Sequence, residues 1–213
     1  KNLKKNISQF EMLKKYFLNY SQFSKIIKFC KKNKIKFLAT PFDIESLKFI
    51  KKNSLDFIKI SSSDINNFEL LNEAIKYKTN IILSSGLSNI KEIKETLNFI
   101  LKKKFNKKKI TLLHCTSNYP TPLDRANLRV ILTLRKKFKI NIGYSDHTRS
   151  LLSGAIATTL GAKIIEKHIT LNNKMSGPDH KASLNPNDFY QYINNIYESK
   201  KVLGSLNKKI YSS

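Results

Sequence analysis

The stretch GAKIIEKHIT (161–170) carries a strand pattern and a charged face together. On a strand, residues two apart share a face, so Glu166 and His168 point the same way as Ile164, while Ile165 and Ile169 point toward covering helices. A carboxylate and an imidazole entering a packed interior are costly unless paired, hydrogen-bonded or bound to metal. Upstream, GYSDHT (143–148) repeats the arrangement, with Ser145 and His147 on one face. A lone histidine on a strand reads as a satisfied core residue. Two of them at the ends of successive strands, with an acid beside one, also form a candidate pair for one divalent ion. Imidazole and oxygen ligation with open positions suits Mn2+, Co2+ or a similar ion that polarises a carbonyl.

Working outward from these two strands, short apolar or β-branched runs alternate with longer amphipathic stretches from residue 20 onward, the pattern of parallel strands joined by crossover helices. Six strands are predicted, at 37–42, 57–62, 80–85, 110–117, 140–145 and 163–169. Helices are expected near 22–34, 44–53, 67–78, 89–104, 126–138, 150–160 and 187–203. Polar residues gather where each strand ends, as in Thr40-Pro41, Ser61 to Asp64, Ser84 to Gly86, Thr116 to Tyr119 and Ser145 to Thr148. Barrels and open α/β sheets both carry their chemistry there. An open sheet stays possible, but the lack of a Gly-rich phosphate loop after the first strand favours a barrel. The expected fold is α/β, an incomplete TIM-type (β/α)8 barrel in which strands three to eight are present. Roughly 30 residues per unit leaves about two units missing. The chain begins with Lys1, so a truncated front is expected, with residues 1–213 forming a single partial barrel domain.

The formal charge of +25 raises nucleic-acid binding, yet only four Arg contribute to it and no reader motif accompanies it. Bidentate recognition favours Arg, so a lysine excess on solvated helix faces is the plainer reading. No specific nucleic-acid partner is expected. No stretch approaches the ~20 apolar residues of a membrane span, and no secretory signal opens the chain, so no membrane partner is expected either. Two cysteines, Cys30 and Cys115, build neither a disulfide framework nor a Cys-rich zinc site, which fits a cytoplasmic protein.

Lys59 precedes three serines, and Ser84, Ser117 and Ser145 add hydroxyls at other strand ends. Hydroxyls and one ammonium around a common mouth would cradle phosphate, although each serine alone reads as the start of a turn. His114, in mid-strand beside Cys115, reads as structural or as a support behind the site. His180, in the loop after Gly177-Pro178, is expected to face solvent without a ligand role.

Together FLATPFD (37–43), FIKISSSD (57–64), ILSSG (82–86), LLHCTSNYPTP (112–122), NLR (127–129), GYSDHT, GAKIIEKHIT and GPDHKASLNP (177–186) resemble, in order and spacing, the N-acetylneuraminate (sialic acid) synthase family. The resemblance covers about residues 10–204 and is closer to neuraminate and legionaminate members than to the pseudaminate branch. It implies condensation of phosphoenolpyruvate with an N-acylmannosamine-type sugar, giving a nonulosonic acid and phosphate. It implies a divalent metal, Mn2+ with Mg2+ or Co2+ as alternatives, held by His147 and His168. Lys59, Ser62, Ser84, Ser117 and Ser145 match positions that hold phosphoenolpyruvate; Tyr119, Asp64 and Asp179 match positions that contact the sugar. Glu166 matches an active-site carboxylate, and Glu166 and Asp64 are the catalytic candidates. The family's first two strands and its C-terminal antifreeze-like domain, through which its members pair as homodimers, are not in this sequence. An inactive remnant is therefore the alternative function, with a basic nucleic-acid-binding module behind it. Ser63 stands where the family usually has Gly; a turn needing a positive φ would be strained there, and Ser is small enough that local adjustment without loss of the site is expected.

Overall fold

The computed structural model describes residues 8–53 and 56–210, which divide into two compact units, 1–111 and 112–213. The first unit opens with α1 (Gln9–Tyr16) and α2 (Tyr20–Lys32), each started by a reciprocal cap: Ser8 with Glu11, and Asn19 with Gln22. Such a cap satisfies two backbone donors that a helix start otherwise leaves bare. Then come α3 (Ile44–Lys52), capped by Asp43, and β1 (Phe57–Ile60), α4 (Phe68–Lys76), β2 (Asn80–Ser84) and α5 (Ile90–Lys102). Strand β3 (Ile110–Cys115) starts in this unit and ends in the second, which continues with α6 (Val130–Phe138), β4 (Asn141–Asp146), α7 (Ser153–Thr159), β5 (Ile165–Lys167) and α8 (Pro186–Leu203). The fold is α/β, with parallel strands that follow chain order in the sheet.

Five strands stand among the described residues where six were expected. Residues 37–42 form no ladder: Leu38 is exposed, and Pro41 lacks the N–H that a ladder needs. Helix α1 was not foreseen. The last helix starts as its composition suggests, but the cap is Asn185, which accepts from the Asp188 N–H, and Pro186 fills the first helical position.

Parallel strands covered on both faces read as continuous apolar runs, and β3 is buried along its whole length. In the first unit Leu47, Ile58, Ile60, Leu71, Ile81 and Leu83 make the core; in the second Leu112, Leu113, Ile131, Ile142, Tyr144 and Tyr192 do. Gly154 lets α7 lie against α8, because a Cβ there would stand 2.4 Å from the Tyr192 hydroxyl and 2.5 Å from its ring carbon. Gly154→Ala is therefore expected to destabilise the protein by about 1–3 kcal/mol through overpacking. A lower urea midpoint at unchanged slope is the measurement; a raised midpoint would show that helix propensity wins.

Candidate functional site

In the second unit, register places Ser145 beside Glu166, and Asp146 beside Lys167. Ser145 and Glu166 therefore share one face of β4 and β5, with His147 and His168 continuing it at the strand ends, while Asp146 and Lys167 occupy the opposite face. The face predicted from the sequence is the one observed. Ser145 Oγ donates to Glu166 Oε1 at 2.6 Å and lies 3.2 Å from His147 Nε2. His147 Nδ1 lies 2.8 Å from the Thr116 carbonyl oxygen. A carbonyl only accepts, so Nδ1 carries the proton and Nε2 a lone pair. Ser145 has a single proton, which the Glu166 bond takes. The Nε2 lone pair is thus left open to a cation, which is what a metal ligand requires. Burial, with the neighbouring His168 in the same direction, holds the His147 pKa below its ordinary value despite the Thr116 bond, favouring the neutral, ligating form.

The two imidazoles stand 5.4 Å apart between ring centres. The Tyr119 ring lies tilted over His147 at 4.1 Å and meets His168 edge-on at 5.7 Å, and its phenol is pushed up to about 12 by burial. His168 Nδ1 is 3.8 Å from Asp179 Oδ2, both side chains being partly exposed. Ser117 sits exposed in the loop after β3. Among the described residues no group of three or more His, Cys, Asp or Glu closes on one point.

In the first unit Lys59 is buried, and its pairing with Ile82 puts it on the same face as Ser84. Ser84 Oγ is buried and has no hydrogen-bond partner among the described residues. Leaving such a buried donor unpaired costs ~1–3 kcal/mol. Ser62 Oγ accepts from the Gly86 N–H at 3.0 Å, joining the loops after β1 and β2. Asp64 ends the short 3-10 turn Ser62–Asp64 and accepts from Ser61 at 2.5 Å, Ser63 at 3.1 Å and Asn67 at 3.3 Å. The strain expected at Ser63 is absent, because the turn is 3-10 and its φ is not positive.

His114 is structural, as expected: its Nε2 faces the Ala126 carbonyl at 2.9 Å and its ring stacks on Tyr144. His180 is not a bystander, for its Nδ1 bonds Thr170 Oγ1 at 2.8 Å and ties the Asp179 loop to the end of β5. The largest omission is a polar cluster behind the histidines, built on Asp146, Lys167, Ser153 and Tyr192. A signal existed, since opposite charges at paired positions of adjacent strands share a face.

These features define a class, a parallel β/α protein with imidazole, carboxylate and hydroxyl groups at its C-terminal strand ends. The chain belongs to the NeuB family, whose profile matches residues 1–208. It is 42% identical over 206 residues to the N,N'-diacetyllegionaminic acid synthase of Campylobacter jejuni, covering 97% of this chain and 62% of that protein. Against the Legionella pneumophila enzyme of the same name it is 33% identical, over 98% of this chain and 59% of that one. Among solved structures it matches the N-acetylneuraminic acid (sialic acid) synthetase of Leptospira borgpetersenii in complex with citrate, with a TM-score of 0.87, 33% identity and coverage of 94% of this chain and 70% of that one. The chain thus spans about three fifths of the length of these curated relatives.

Proposed function

We propose that the full-length protein condenses phosphoenolpyruvate and water with an N-acylmannosamine-type sugar to give a nonulosonic acid, sialic or legionaminic, and free phosphate. The observation that carries this reading is the open Nε2 lone pair of His147, standing beside the Ser145–Glu166 bond on the strand face that also carries His168. A divalent ion, Mn2+ with Mg2+ or Co2+ as substitutes, is assigned to His147 and His168, and when bound it polarises the sugar's carbonyl for attack by the enol carbon. Glu166, hydrogen-bonded through the Ser145 hydroxyl, orients a group at this face or moves a proton there. Asp179, Tyr119 and Asp64 are assigned to the sugar. Phosphoenolpyruvate is assigned to Lys59, Ser62 and Ser84 of residues 1–111 and to Ser117 and Ser145 of residues 112–213. The β/α units are read as part of a TIM-type barrel, and the full-length protein as a cytoplasmic homodimer without nucleic-acid or membrane partners; the family resemblance supports the pairing. No described helix is long and apolar enough to cross a membrane.

The sugar is decided by incubating the full-length protein with phosphoenolpyruvate, Mn2+ and either N-acetylmannosamine or its 2,4-diacetamido analogue. Phosphate release with one of them supports the reading; release with neither, from metal-loaded protein, overturns it. Ser84 gives a separate check. Ser84→Ala removes a buried hydroxyl that bonds nothing among the described residues, so the melting temperature is expected to hold or rise. Loss of its bond to an anionic substrate is expected to raise the KM for phosphoenolpyruvate roughly ten- to hundredfold. An unchanged KM would remove Ser84 from the substrate site.

A further inference from the structure

We propose that Asp146 and Lys167, on the helix-facing side of β4 and β5, are positioning residues that set where His147 and His168 stand. Each immediately precedes one of the histidines, and the two face each other in register. Their charged ends meet at 3.1 Å with side chains 0% and 3% exposed. Asp146 also accepts from the Tyr144 hydroxyl at 3.2 Å, the Ser153 hydroxyl at 2.5 Å, the Tyr192 hydroxyl at 2.8 Å and the Thr148 N–H at 2.8 Å. Lys167 donates to the Thr148 carbonyl at 2.5 Å and lies 5.2 Å over the Tyr192 ring.

Burying two ions costs several kcal/mol each, and an apolar pair of similar volume would hold the strands together at least as well. What ions and hydrogen bonds add is direction. Thr148 is gripped twice, its N–H by Asp146 and its carbonyl by Lys167, so the backbone that follows His147 directly is pinned. The Thr121 N–H holds the His147 carbonyl at 2.8 Å and the Leu184 N–H holds that of His168 at 3.0 Å. Loop backbone thus holds the two histidine carbonyls, while Asp146 and Lys167 fix, from the opposite strand face, the backbone directly after His147 and the residue directly before His168.

The metal arm of the test rests on the function proposed above, so a metal-free readout accompanies it. In the full-length protein, the imidazole 15N–1H resonances of His147 and His168 are compared among the wild type, Tyr192→Phe, Ser153→Ala and the double variant Asp146→Asn with Lys167→Met, and Mn2+ affinity is titrated in each. The expected result is displaced His147 resonances in every variant and Mn2+ binding weakened about tenfold or more. Should the double variant fail to fold, the two milder ones carry the comparison. Resonances that stay in place while the melting temperature falls would show a merely structural cluster and overturn the proposal. Displaced resonances in a protein whose wild type takes no Mn2+ would leave the positioning role standing and remove the metal reading.

Discussion

Replacing His147 or His168 with Gln in the full-length protein is expected to cut turnover roughly a thousandfold, the several kcal/mol that a Lewis-acidic ion contributes to an addition at a carbonyl. The loss should fall on kcat, with the melting temperature nearly held. His168 is partly exposed and its contact with Asp179, at 3.8 Å, is long and open to solvent, so little stability rests on it. His147 is buried and bonds the Thr116 carbonyl, a contact that a Gln amide can replace. The bond from Ser145 to Glu166 does not pass through either imidazole and should survive both substitutions. Turnover, Mn2+ affinity and a thermal melt of each variant check the result. Full activity in His147→Gln would exclude this histidine as a ligand.

The second large effect concerns stability. Asp146→Ala is expected to cost about 3–5 kcal/mol, because Lys167 is then left charged and buried without its counter-ion. Lys167→Met should cost less, since four other donors still satisfy the carboxylate. Denaturant midpoints of the two variants test this order, and a costlier Lys167→Met would contradict it. The pH dependence follows from the same cluster. Burial alone would raise the Asp146 pKa, but the Lys167 charge and the bonds from Ser153 and Thr148 outweigh it and hold it below the usual carboxylate value. The unfolded value is about 3.9, so this stabilisation is present above that pH and is lost as pH falls through the folded value. Acid unfolding of the wild type should be steeper below about pH 4 than that of Asp146→Asn, and equal slopes would show that another group governs it.

Much of this fold was legible because parallel β/α units write their period into the sequence. The helix expected at 44–53 is observed as Ile44–Lys52 and the one expected at 89–104 as Ile90–Lys102. Residues 37–42 misled because an apolar run specifies burial but cannot supply the partner whose ladder makes it a strand. The strand period placed Ser145, His147, Glu166 and His168 on one face correctly, since register and side-chain direction are local properties. The Asp146–Lys167 pair had a local signal, but Tyr192 joins that cluster from 46 residues away, a contact that no local period encodes. Likewise His180 finds Thr170 only when the loop folds back on the end of β5. Motif resemblance supplied substrate roles that geometry within either unit does not.

The most direct test of a metal-dependent condensation at His147 and His168 is the stoichiometry of the full-length protein's reaction. Phosphoenolpyruvate, the accepted N-acyl sugar and Mn2+ are supplied, and phosphate and 2-keto acid are counted in the wild type and in His147→Gln. The expected result is one phosphate per nonulosonic acid in the wild type, abolished by EDTA and restored by Mn2+, with neither product from His147→Gln. Equal product formation with and without metal, or in wild type and His147→Gln alike, would contradict the account.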